Sequence, residues 1–313
     1  MSAVAGVVAI FGPTASGKTA VAVELALLLG TAEVVSADSM QIYRGLERIT
    51  NQPAEAERRD VPHHLVGSVD PDEPYDVVRY AAAAHAAIDG ILASGATPIV
   101  AGGSGLYLRA ALADIAFPPR GEGGRRAELR AEVEAAGPGS AHARLARADP
   151  DAAARIAPAD TRRIVRALEL AEAGASLAPA DADALWSGET RHPTRLFGLV
   201  LDRAVLRERI DARTPQLLAA GAEQVRELLG TPGGLSATAM RAHGVDDIRE
   251  HLAGRIDRAE CERRLAARTR QYAKRQDTWR RRLPGLEEVP ADGSADAVAR
   301  DIAARLAMQP RYD

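Results

Sequence analysis

The stretch Gly6-Val-Val-Ala-Ile-Phe-Gly-Pro-Thr-Ala-Ser-Gly-Lys-Thr19 decides the fold of this chain. Its first half is a short, continuous apolar run, as is typical of a strand buried on both faces of a parallel sheet. Its second half, Gly12 to Thr19, matches the phosphate-loop pattern G-x-x-x-x-G-K-[ST]. The apolar segment from Thr19 to Leu29 is predicted to be a helix that ends at Gly30. Strand, loop and helix in this order favour a phosphate-binding α/β domain over a chance match in an ordinary strand-to-helix turn.

The residue types of the loop explain how it would hold an anion. Glycines let the backbone curl so that successive N–H groups face a phosphate, and the helix N-terminus adds a partial positive charge. Lys18 supplies a full charge, and the Thr19 hydroxyl is a predicted ligand of Mg²⁺. The predicted phosphate-binding residues are Gly12, Pro13, Thr14, Ala15, Ser16, Gly17, Lys18 and Thr19. The loop indicates a phosphate or diphosphate ligand but leaves the reaction open.

Strand and helix patterns alternate beyond the loop. Glu33 to Ala37 and Thr97 to Ala101 are predicted strands, and the alanine-rich segment from Tyr75 to Leu92 is a predicted helix. An apolar strand pattern returns at Leu196 to Leu201. This rhythm predicts a P-loop NTPase-like parallel sheet flanked by helices, with ligands at the carboxyl ends of the strands.

The middle of the chain has a different amino-acid composition. Pro118-Pro119 and nearby glycines mark a boundary, and a stretch rich in Ala, Arg and Glu follows. Prolines at 138, 150 and 158 divide that stretch into short helices. We therefore predict a catalytic core of residues 1–117 and 196–313, interrupted by a mostly helical insertion of residues 118–195.

Composition narrows the class of protein. The chain has 313 residues, of which 46% are hydrophobic and 27% charged, as in an ordinary globular protein. The formal net charge of -3 means that affinity for nucleic acid must come from local clusters of charge. The single cysteine, Cys261, excludes an internal disulfide and indicates a reducing compartment. No apolar run approaches the roughly 20 residues that span a bilayer, and no signal-peptide pattern is present, so a cytoplasmic protein without a membrane partner is expected.

A carboxylate is predicted beside the phosphate loop. The second strand runs into Ser36-Ala-Asp-Ser-Met-Gln-Ile-Tyr-Arg-Gly45, and in this fold the end of that strand adjoins the loop. Asp38 could therefore ligate Mg²⁺, act as a general base, or cap the helix that follows. The residues alone leave these three roles open.

Two adjacent histidines could in principle bind a metal. His63 and His64 do not have the i, i+4 spacing of metal ligands on a helix, and no Cys or acidic pair accompanies them at ligand spacing. A role in anchoring a loop is favoured over a zinc site.

The segments Gly12–Thr19 and Ser36–Gly45 together resemble the tRNA dimethylallyltransferases, also called tRNA isopentenyltransferases. Further matches, in the same order, are Pro62-His-His-Leu65 with Asp70-Pro71, Gly102-Gly-Ser-Gly-Leu-Tyr107, Asp149-Pro150 with Arg155-Ile156, Arg162-Arg-Ile-Val-Arg-Ala-Leu-Glu169, and Thr269-Arg-Gln-Tyr-Ala-Lys-Arg-Gln276 with Trp279. The resemblance covers nearly the whole chain. One departure is that His243 and Val245 stand where the family usually has an apolar and an aromatic residue.

The resemblance implies transfer of a dimethylallyl group from its diphosphate to N6 of the adenosine 3′ to the anticodon, at position 37, in tRNAs that read codons beginning with U. It implies that Asp38 is the general base on the adenine amine, whose delocalised lone pair makes it a poor nucleophile. Lys18, the loop amides and Mg²⁺ on Thr19 would stabilise the diphosphate leaving group. Ser104, where the family usually has Thr, would hydrogen-bond near the reacting amine.

The resemblance also names binding residues. Arg209, and less strongly Arg213, would bind the diphosphate, with a solvated helix face as the alternative. The implied tRNA contacts are Asp38, Ser39, Met40, Gln41, Ser104, Arg126, Arg162, Arg163, Ile164, Val165 and Arg166. Recognition of one loop adenosine suggests an unstacked base that reaches a deep site.

A predicted helix from Arg255 to Leu283 carries the strongest local charge. Residues 255–282 hold eleven Arg or Lys against four Asp or Glu. On a helix, one face carries Leu265, Tyr272, Trp279 and Leu283, and another carries Arg264, Arg268, Gln271 and Arg275. The apolar face is expected to pack on the core, with base stacking as the alternative. The basic face suggests a ridge that contacts phosphates, with a merely solvated face as the alternative.

Three rival functions remain from sequence. One is a phosphotransferase that uses the loop to bind ATP. A second is an adenylate dimethylallyltransferase that acts on free nucleotide, and a third is an RNA-binding protein with a vestigial loop. The basic clusters argue against the first two, and the intact Lys18, Thr19 and Asp38 argue against the third. The leading hypothesis is a tRNA-modifying prenyltransferase that works as a monomer with Mg²⁺.

Overall fold

A six-stranded parallel sheet forms the centre of the fold. The computed structural model describes residues 6–117, 124–177 and 185–308. The strands are β1 (Val7–Phe11), β2 (Ala32–Ser36), β3 (His63–His64), β4 (Thr97–Gly102), β5 (Thr194–Val200) and β6 (Leu286–Pro290). They lie in the order β3-β2-β4-β1-β5-β6, and every neighbouring pair is parallel. The predicted fold class is therefore confirmed.

Helices connect and cover these strands. They are α1 (Lys18–Leu29), α2 (Glu47–Thr50), α3 (Glu55–Arg58), α4 (Val77–Ala93), α5 (Gly105–Leu112), α6 (Arg125–Ala148), α7 (Pro150–Arg155), α8 (Thr161–Glu172), α9 (Arg203–Leu229), α10 (Val245–Leu252), α11 (Arg258–Arg280) and α12 (Ala295–Ala307). The predicted basic helix corresponds to α11, but β6 and α12 follow it, so it is not the last element of the fold.

The central strand β1 shows why the sheet forms here. All five of its residues are buried, and it pairs with β4 on one side and β5 on the other. Helices α1 and α12 pack together over one core cluster, which includes Val8, Leu25 and Ile302. Burial of each such side chain contributes about 1.5–3 kcal/mol, which explains the uninterrupted apolar run. The loop that follows Phe11 therefore starts from a rigid position.

A second compact unit spans Ile115–Ser187 and consists of α6, α7 and α8. It has its own apolar core, to which Leu129, Leu145 and Leu168 contribute. The chain kinks at Gly137 (φ 75°, ψ 160°), directly before Pro138, in line with the predicted break.

The limits of this unit differ from the predicted 118–195. Residues 188–193 belong to the sheet unit, where the Pro193 carbonyl accepts a hydrogen bond from the Val7 N–H at 2.8 Å and the Arg191 N–H donates to the Leu112 carbonyl at 2.8 Å. These hydrogen bonds tie the residues just before β5 to the sheet unit. The predicted boundary at residues 118–123 lies outside the described residues.

No helix in the described ranges is long and apolar enough to cross a membrane.

Candidate active site

The phosphate loop lies between β1 and α1, and its backbone is turned at two points. Ala15 (φ 64°) and Gly17 (φ 84°) adopt left-handed conformations. At position 17 glycine tolerates this conformation without steric cost, whereas Ala15 is held in it with some strain. Lys18 begins α1 directly afterwards, so the helix N-terminus points at the same space.

Some backbone N–H groups of the phosphate loop are hydrogen-bonded within the protein, and others are not. The Gly12 N–H donates to the Gly102 carbonyl at 3.2 Å, the Ser16 N–H donates to the Pro13 carbonyl at 3.2 Å, and Pro13 has no N–H. The Thr14 N–H donates to Gln276 Oε1 at 2.8 Å. Of the loop residues Gly12–Thr19, Ala15, Gly17, Lys18 and Thr19 have N–H groups with no acceptor among the described residues. These four amides form the anion cradle.

A cavity of about 410 Å³ opens at the carboxyl ends of the strands. Its lining includes loop residues Thr14, Ala15, Gly17, Lys18 and Thr19, strand-end residues Asp38, Ser39, Met40 and Gln41, and Arg209, Arg213, His243 and Tyr272. Its volume suits a small organic ligand. Of the predicted loop residues, Gly12, Pro13 and Ser16 are buried and do not line the cavity, so their contribution is to the shape of the loop.

Two cations face the cavity without ion-pair partners among the described residues. Burial lowers the pKa of Lys18 and Arg213 lowers it further, whereas Asp38 raises it. Arg213 Nη2 donates to Thr14 Oγ1 at 3.2 Å, and burial lowers the pKa of Arg213. Two neighbouring cations without an ion-pair partner form a site that a bound anion would stabilise.

Arg209 is less enclosed than Arg213. Its Nη1 lies 3.5 Å from the Ala15 carbonyl, at the limit of a hydrogen bond, and its side chain is exposed. Both arginines line the cavity, one turn apart on α9. The sequence favoured Arg209 as the diphosphate ligand, but the structure gives the more buried position to Arg213.

Asp38 is half-buried at the end of β2 and lines the same cavity. Its Oδ1 accepts the Met40 N–H at 3.0 Å, so the carboxylate does cap the following turn. Oδ2 has no hydrogen-bond partner in the described part of the chain. Capping and a chemical role therefore use different oxygens of one carboxylate.

Ser104 lies beside the residue that follows Asp38. Its Oγ accepts the Ser39 N–H at 3.4 Å and lies 3.3 Å from Ser39 Oγ and 3.1 Å from the Tyr272 hydroxyl. The Gln41 side chain is held by the neighbouring backbone, because its Nε2 donates to the Asn51 carbonyl at 2.8 Å. Met40 lines the cavity, as do Ser39 and Gln41.

The residues of this cavity fit a magnesium ion, which Thr19 would hold. The Thr19 side chain lines the cavity, and its hydroxyl has no hydrogen-bond partner among the described residues. A hydroxyl, a nearby carboxylate and ligand phosphates are the hard oxygen donors that Mg²⁺ uses, with water completing its shell.

His63 and His64 anchor the sheet edge. His63 Nδ1 lies 2.8 Å from the Val61 carbonyl, and His64 Nε2 lies 2.6 Å from Glu33 Oε2. No group of three or more His, Cys, Asp or Glu that could hold a metal occurs within the described residues.

The departures from the family pattern lie in and beside the cavity. The His243 ring packs on the Tyr272 ring, with centroids 4.4 Å apart and planes at 46°. Burial lowers the pKa of His243, as do Arg275 and Arg268, while Asp38 raises it. Val245 is fully buried at the start of α10. The histidine is thus part of the cavity wall, and the valine is part of the core.

In the helical unit, two predicted tRNA contacts share one buried carboxylate. Glu169 Oε2 accepts hydrogen bonds from Arg126 Nη2 and Arg166 Nη1, both at 2.7 Å, while its side chain is only 3% exposed. Burial would raise the pKa of Glu169, but these hydrogen bonds hold it below its ordinary value. Glu169 therefore fixes the directions of both arginine side chains.

The other predicted tRNA contacts on α8 differ in how deeply they are buried. Arg162 and Arg163 are exposed, and Arg163 lies 3.5 Å from Asp160. Ile164 and Val165 are buried in the core of the helical unit, so their side chains cannot contact RNA as predicted. Position on an amphipathic helix explains the difference, because adjacent residues point to different faces.

The basic helix α11 is partly neutralised within the protein. Arg264 pairs with Glu260 at 2.6 Å, Arg268 pairs with buried Asp247 at 2.7 Å, and Arg270 pairs with Asp211. Leu265 and Leu283 are buried, as the packing interpretation predicts. Arg275 is exposed, and its guanidinium lies over the Tyr272 ring, 5.7 Å from the centroid.

Sequence reasoning missed the side chain that joins the phosphate loop to the Ser104 loop. Gln276 is buried and bonds to both Thr14 and Gly103. In the sequence, Gln276 is only the last residue of the motif Thr269–Gln276 on the predicted basic helix. The signal that could have found it is a polar residue between Tyr272 and Trp279 on the apolar face of the predicted helix.

A parallel sheet with a phosphate loop after its first strand, and a carboxylate facing that loop from the second, defines the P-loop class of α/β proteins. The IPP transferase family model matches residues 41–283, and an isopentenyl transferase model matches residues 5–62. The chain belongs to the IPP transferase family. The resemblance inferred from the motifs is confirmed.

Individual relatives cover almost the whole chain. A protein of Anaeromyxobacter sp. (strain Fw109-5), named tRNA dimethylallyltransferase, is 44% identical over 294 residues, which are 94% of this chain and 97% of that protein. One of the same name from Kineococcus radiotolerans is 41% identical over 306 residues, covering 96% of this chain and 94% of that protein.

Solved structures have the same fold. The full-length tRNA isopentenylpyrophosphate transferase of Bacillus halodurans is 32% identical, with a TM-score of 0.68 and coverage of 96% of each chain. A eukaryotic dimethylallyltransferase acting on tRNA is 26% identical, with a TM-score of 0.75 and coverage of 98% of this chain and 81% of that one.

Proposed function

We propose that this protein transfers the dimethylallyl group of dimethylallyl diphosphate to N6 of adenosine 37 in tRNAs that read codons beginning with U. Relatives at over 40% identity carry the name tRNA dimethylallyltransferase. The observation that carries the proposal is that the anion cradle and the free Oδ2 of Asp38 face one cavity. A group-transfer reaction needs a leaving-group site and a base at such close quarters.

The donor half of the cavity would hold the leaving group. The amides of Ala15, Gly17, Lys18 and Thr19, together with the Lys18 ammonium and the Arg213 guanidinium, stabilise charge as the allylic C–O bond breaks. The diphosphate departs with the electron pair of that bond. Bound Mg²⁺, held by Thr19, would supply further neutralisation of the diphosphate oxygens.

The acceptor half would hold the adenine. As the new bond forms from N6 to the allylic carbon, a proton leaves the amine and Asp38 Oδ2 accepts it. The Ser104 hydroxyl, which contacts the cavity-lining residues Ser39 and Tyr272, would hydrogen-bond the amine. The step is balanced, because the diphosphate leaves with the electron pair of the C–O bond and Asp38 takes the proton of the amine.

The acceptor's RNA backbone would contact the exposed cations. Arg162 and Arg163 are exposed on the helical unit, and Arg275 is exposed on α11. Phosphate contacts of this kind position an anticodon stem-loop without reading its sequence. A flipped adenosine then enters the cavity, at the expense of its stacking. We further propose that the protein acts as a monomer in the cytoplasm.

A labelling experiment tests this proposal. Protein and Mg²⁺ are incubated with labelled dimethylallyl diphosphate and with tRNA, AMP or no acceptor. We expect label in tRNA alone. Label in AMP would support a free-nucleotide prenyltransferase instead. Consumption of ATP with a phosphorylated product would support a phosphotransferase and overturn the proposal.

A further inference from the structure

Helix α11 contacts both the phosphate loop and the Gly103–Gly105 segment through one buried side chain. Gln276 is 2% exposed. Its Oε1 accepts the Thr14 N–H at 2.8 Å, and its Nε2 donates to the Gly103 carbonyl at 2.9 Å. One planar amide therefore links the phosphate loop to the segment that carries Ser104.

The packing around this amide leaves little room for movement. A Cβ atom built on Gly103 would collide with Gln276 Nε2, and one built on Gly105 would collide with the Trp279 ring. One turn before Gln276, the Tyr272 hydroxyl lies 3.1 Å from Ser104 Oγ. Residues on successive turns of α11 thus press against the whole Gly103–Gly105 segment.

The two groups that Gln276 joins belong to opposite ends of the proposed reaction. Thr14 lines the donor end and holds Arg213 through its hydroxyl. Gly103 directly precedes Ser104, which lies at the acceptor end beside Ser39. The distance between the leaving-group site and the amine site therefore depends on the geometry of one side chain.

We propose that Gln276 is a positioning residue that sets the distance and angle between the bound diphosphate and the adenine N6. The proposal rests on the proposed function, since it assigns the two ends of the cavity to donor and acceptor. Gln276 does not line the cavity, so it acts through Thr14 and Ser104 and contacts neither substrate. Misplacement of reacting groups by about 1 Å lowers a rate on the order of 100-fold.

Substitution of Gln276 by methionine tests this role. Gln276→Met keeps the length and most of the volume of the side chain but removes both hydrogen bonds. We expect kcat at saturating donor and tRNA to fall about 10- to 100-fold. The KM for tRNA should stay within about twofold, and the pH at which kcat is half-maximal should not move, because proton transfer to Asp38 is unchanged.

Two further variants separate positioning from folding. Gln216 is exposed on α9 and does not line the cavity, so Gln216→Met is the matched control and should keep wild-type kcat. Gln276→Glu keeps the acceptor for the Thr14 N–H, loses the donor to Gly103, and adds a negative charge behind the donor loop. It should lower kcat and also raise the KM for dimethylallyl diphosphate.

The outcomes are distinct. Wild-type kcat in folded Gln276→Met, as judged by its thermal melt and tRNA affinity, would overturn the positioning role. If Gln276→Met does not fold, Gln276→Glu decides, and wild-type kcat in that variant would overturn the role equally. If the wild-type protein itself transfers no label to tRNA, the proposed function fails, whatever the variants show.

Discussion

At the scale of single residues, the cavity is organised by charges that the protein leaves uncompensated. Lys18 and Arg213 lie close enough for Arg213 to lower the pKa of Lys18, and neither forms an ion pair within the described residues. Asp38 acts on the same lysine in the opposite direction. A bound diphosphate would relieve this repulsion, so we expect affinity for the proposed donor to depend on these cations.

The two arginines of α9 should differ in importance. Arg213→Gln removes a half-buried charge beside Thr14, so we expect kcat/KM for dimethylallyl diphosphate to fall about 10- to 100-fold, as for the loss of a charged hydrogen bond. Arg209→Gln, at an exposed position, should cost less than about fivefold. Steady-state kinetics with varied donor measure both. A larger loss for Arg209→Gln would reverse the assignment.

His243 should make the protein sensitive to acid. Its pKa is lowered in the folded state by burial and by Arg275 and Arg268, against Asp38. Below the unfolded pKa of about 6.5, the unfolded chain therefore binds more protons at this site, and stability is lost as pH falls toward the folded pKa. His243→Leu should lose less free energy of unfolding than the wild type between pH 7 and pH 5.

Urea denaturation at the two pH values measures this difference, which cannot exceed about 1.4 kcal/mol per pH unit. His251, which is half-buried at the end of α10, supplies the control substitution His251→Leu. Equal acid sensitivity of His243→Leu and the wild type would show that His243 does not titrate differently in the two states.

At the scale of elements, the local sequence pattern predicts the buried strands and helices but does not detect the strands at the edges of the sheet. Strand β1 is apolar throughout because both of its faces are covered, so its sequence revealed it. Strand β6, Leu-Glu-Glu-Val-Pro, and the two-residue β3 lie at the sheet edges and lack an apolar run. Their pairing depends on neighbours distant in sequence, which periodicity does not detect.

The candidate site divides in the same way. Phosphate binding and the location of Asp38 follow from local motifs and the rule that strand ends meet. The role of Gln276 and the more enclosed position of Arg213 relative to Arg209 do not, because they depend on contacts with Thr14 across 262 and 199 residues of sequence. Ile164 and Val165 were assigned to RNA because they belong to a motif, although the period of their helix turns them inward.

The buried carboxylate of α8 should support its unit's stability. Glu169→Gln leaves Arg126 and Arg166 without their shared anion, so we expect a loss of about 1–3 kcal/mol in the free energy of unfolding. Glu128→Gln, at a side chain that is 66% exposed, should change it by less than about 1 kcal/mol. Chemical denaturation compares them, and equal effects would contradict the role of Glu169.

At the scale of the whole molecule, a chain of net charge -3 must bind an RNA polyanion through a few exposed cations. Many arginines are already committed to carboxylates. Arg125 and Arg144, for example, share Glu132 and Glu172 on the helical unit. The cations left for phosphate contacts are therefore fewer than the composition suggests, and they are identified by exposure rather than by charge density along the chain.

The dependence of tRNA binding on salt concentration tests whether Arg162 and Arg163 contact phosphates. Replacing Arg162 and Arg163 by alanine should weaken binding and reduce the slope of log K against log salt concentration by about 1.4–1.8, corresponding to two phosphate contacts. The same replacement at Arg144, which is engaged with two glutamates, should leave the slope unchanged. An unchanged slope in the double variant would exclude those arginines from the RNA contact surface.

The identity of the base remains the central point, and Asp38→Asn tests it most directly. Asparagine can still accept the Met40 N–H but cannot take a proton from the adenine amine. Single-turnover transfer of labelled dimethylallyl to tRNA should slow by about 100- to 10,000-fold in this variant, while its affinity for tRNA stays close to that of the wild type. Transfer at a near wild-type rate would show that Asp38 is not the general base.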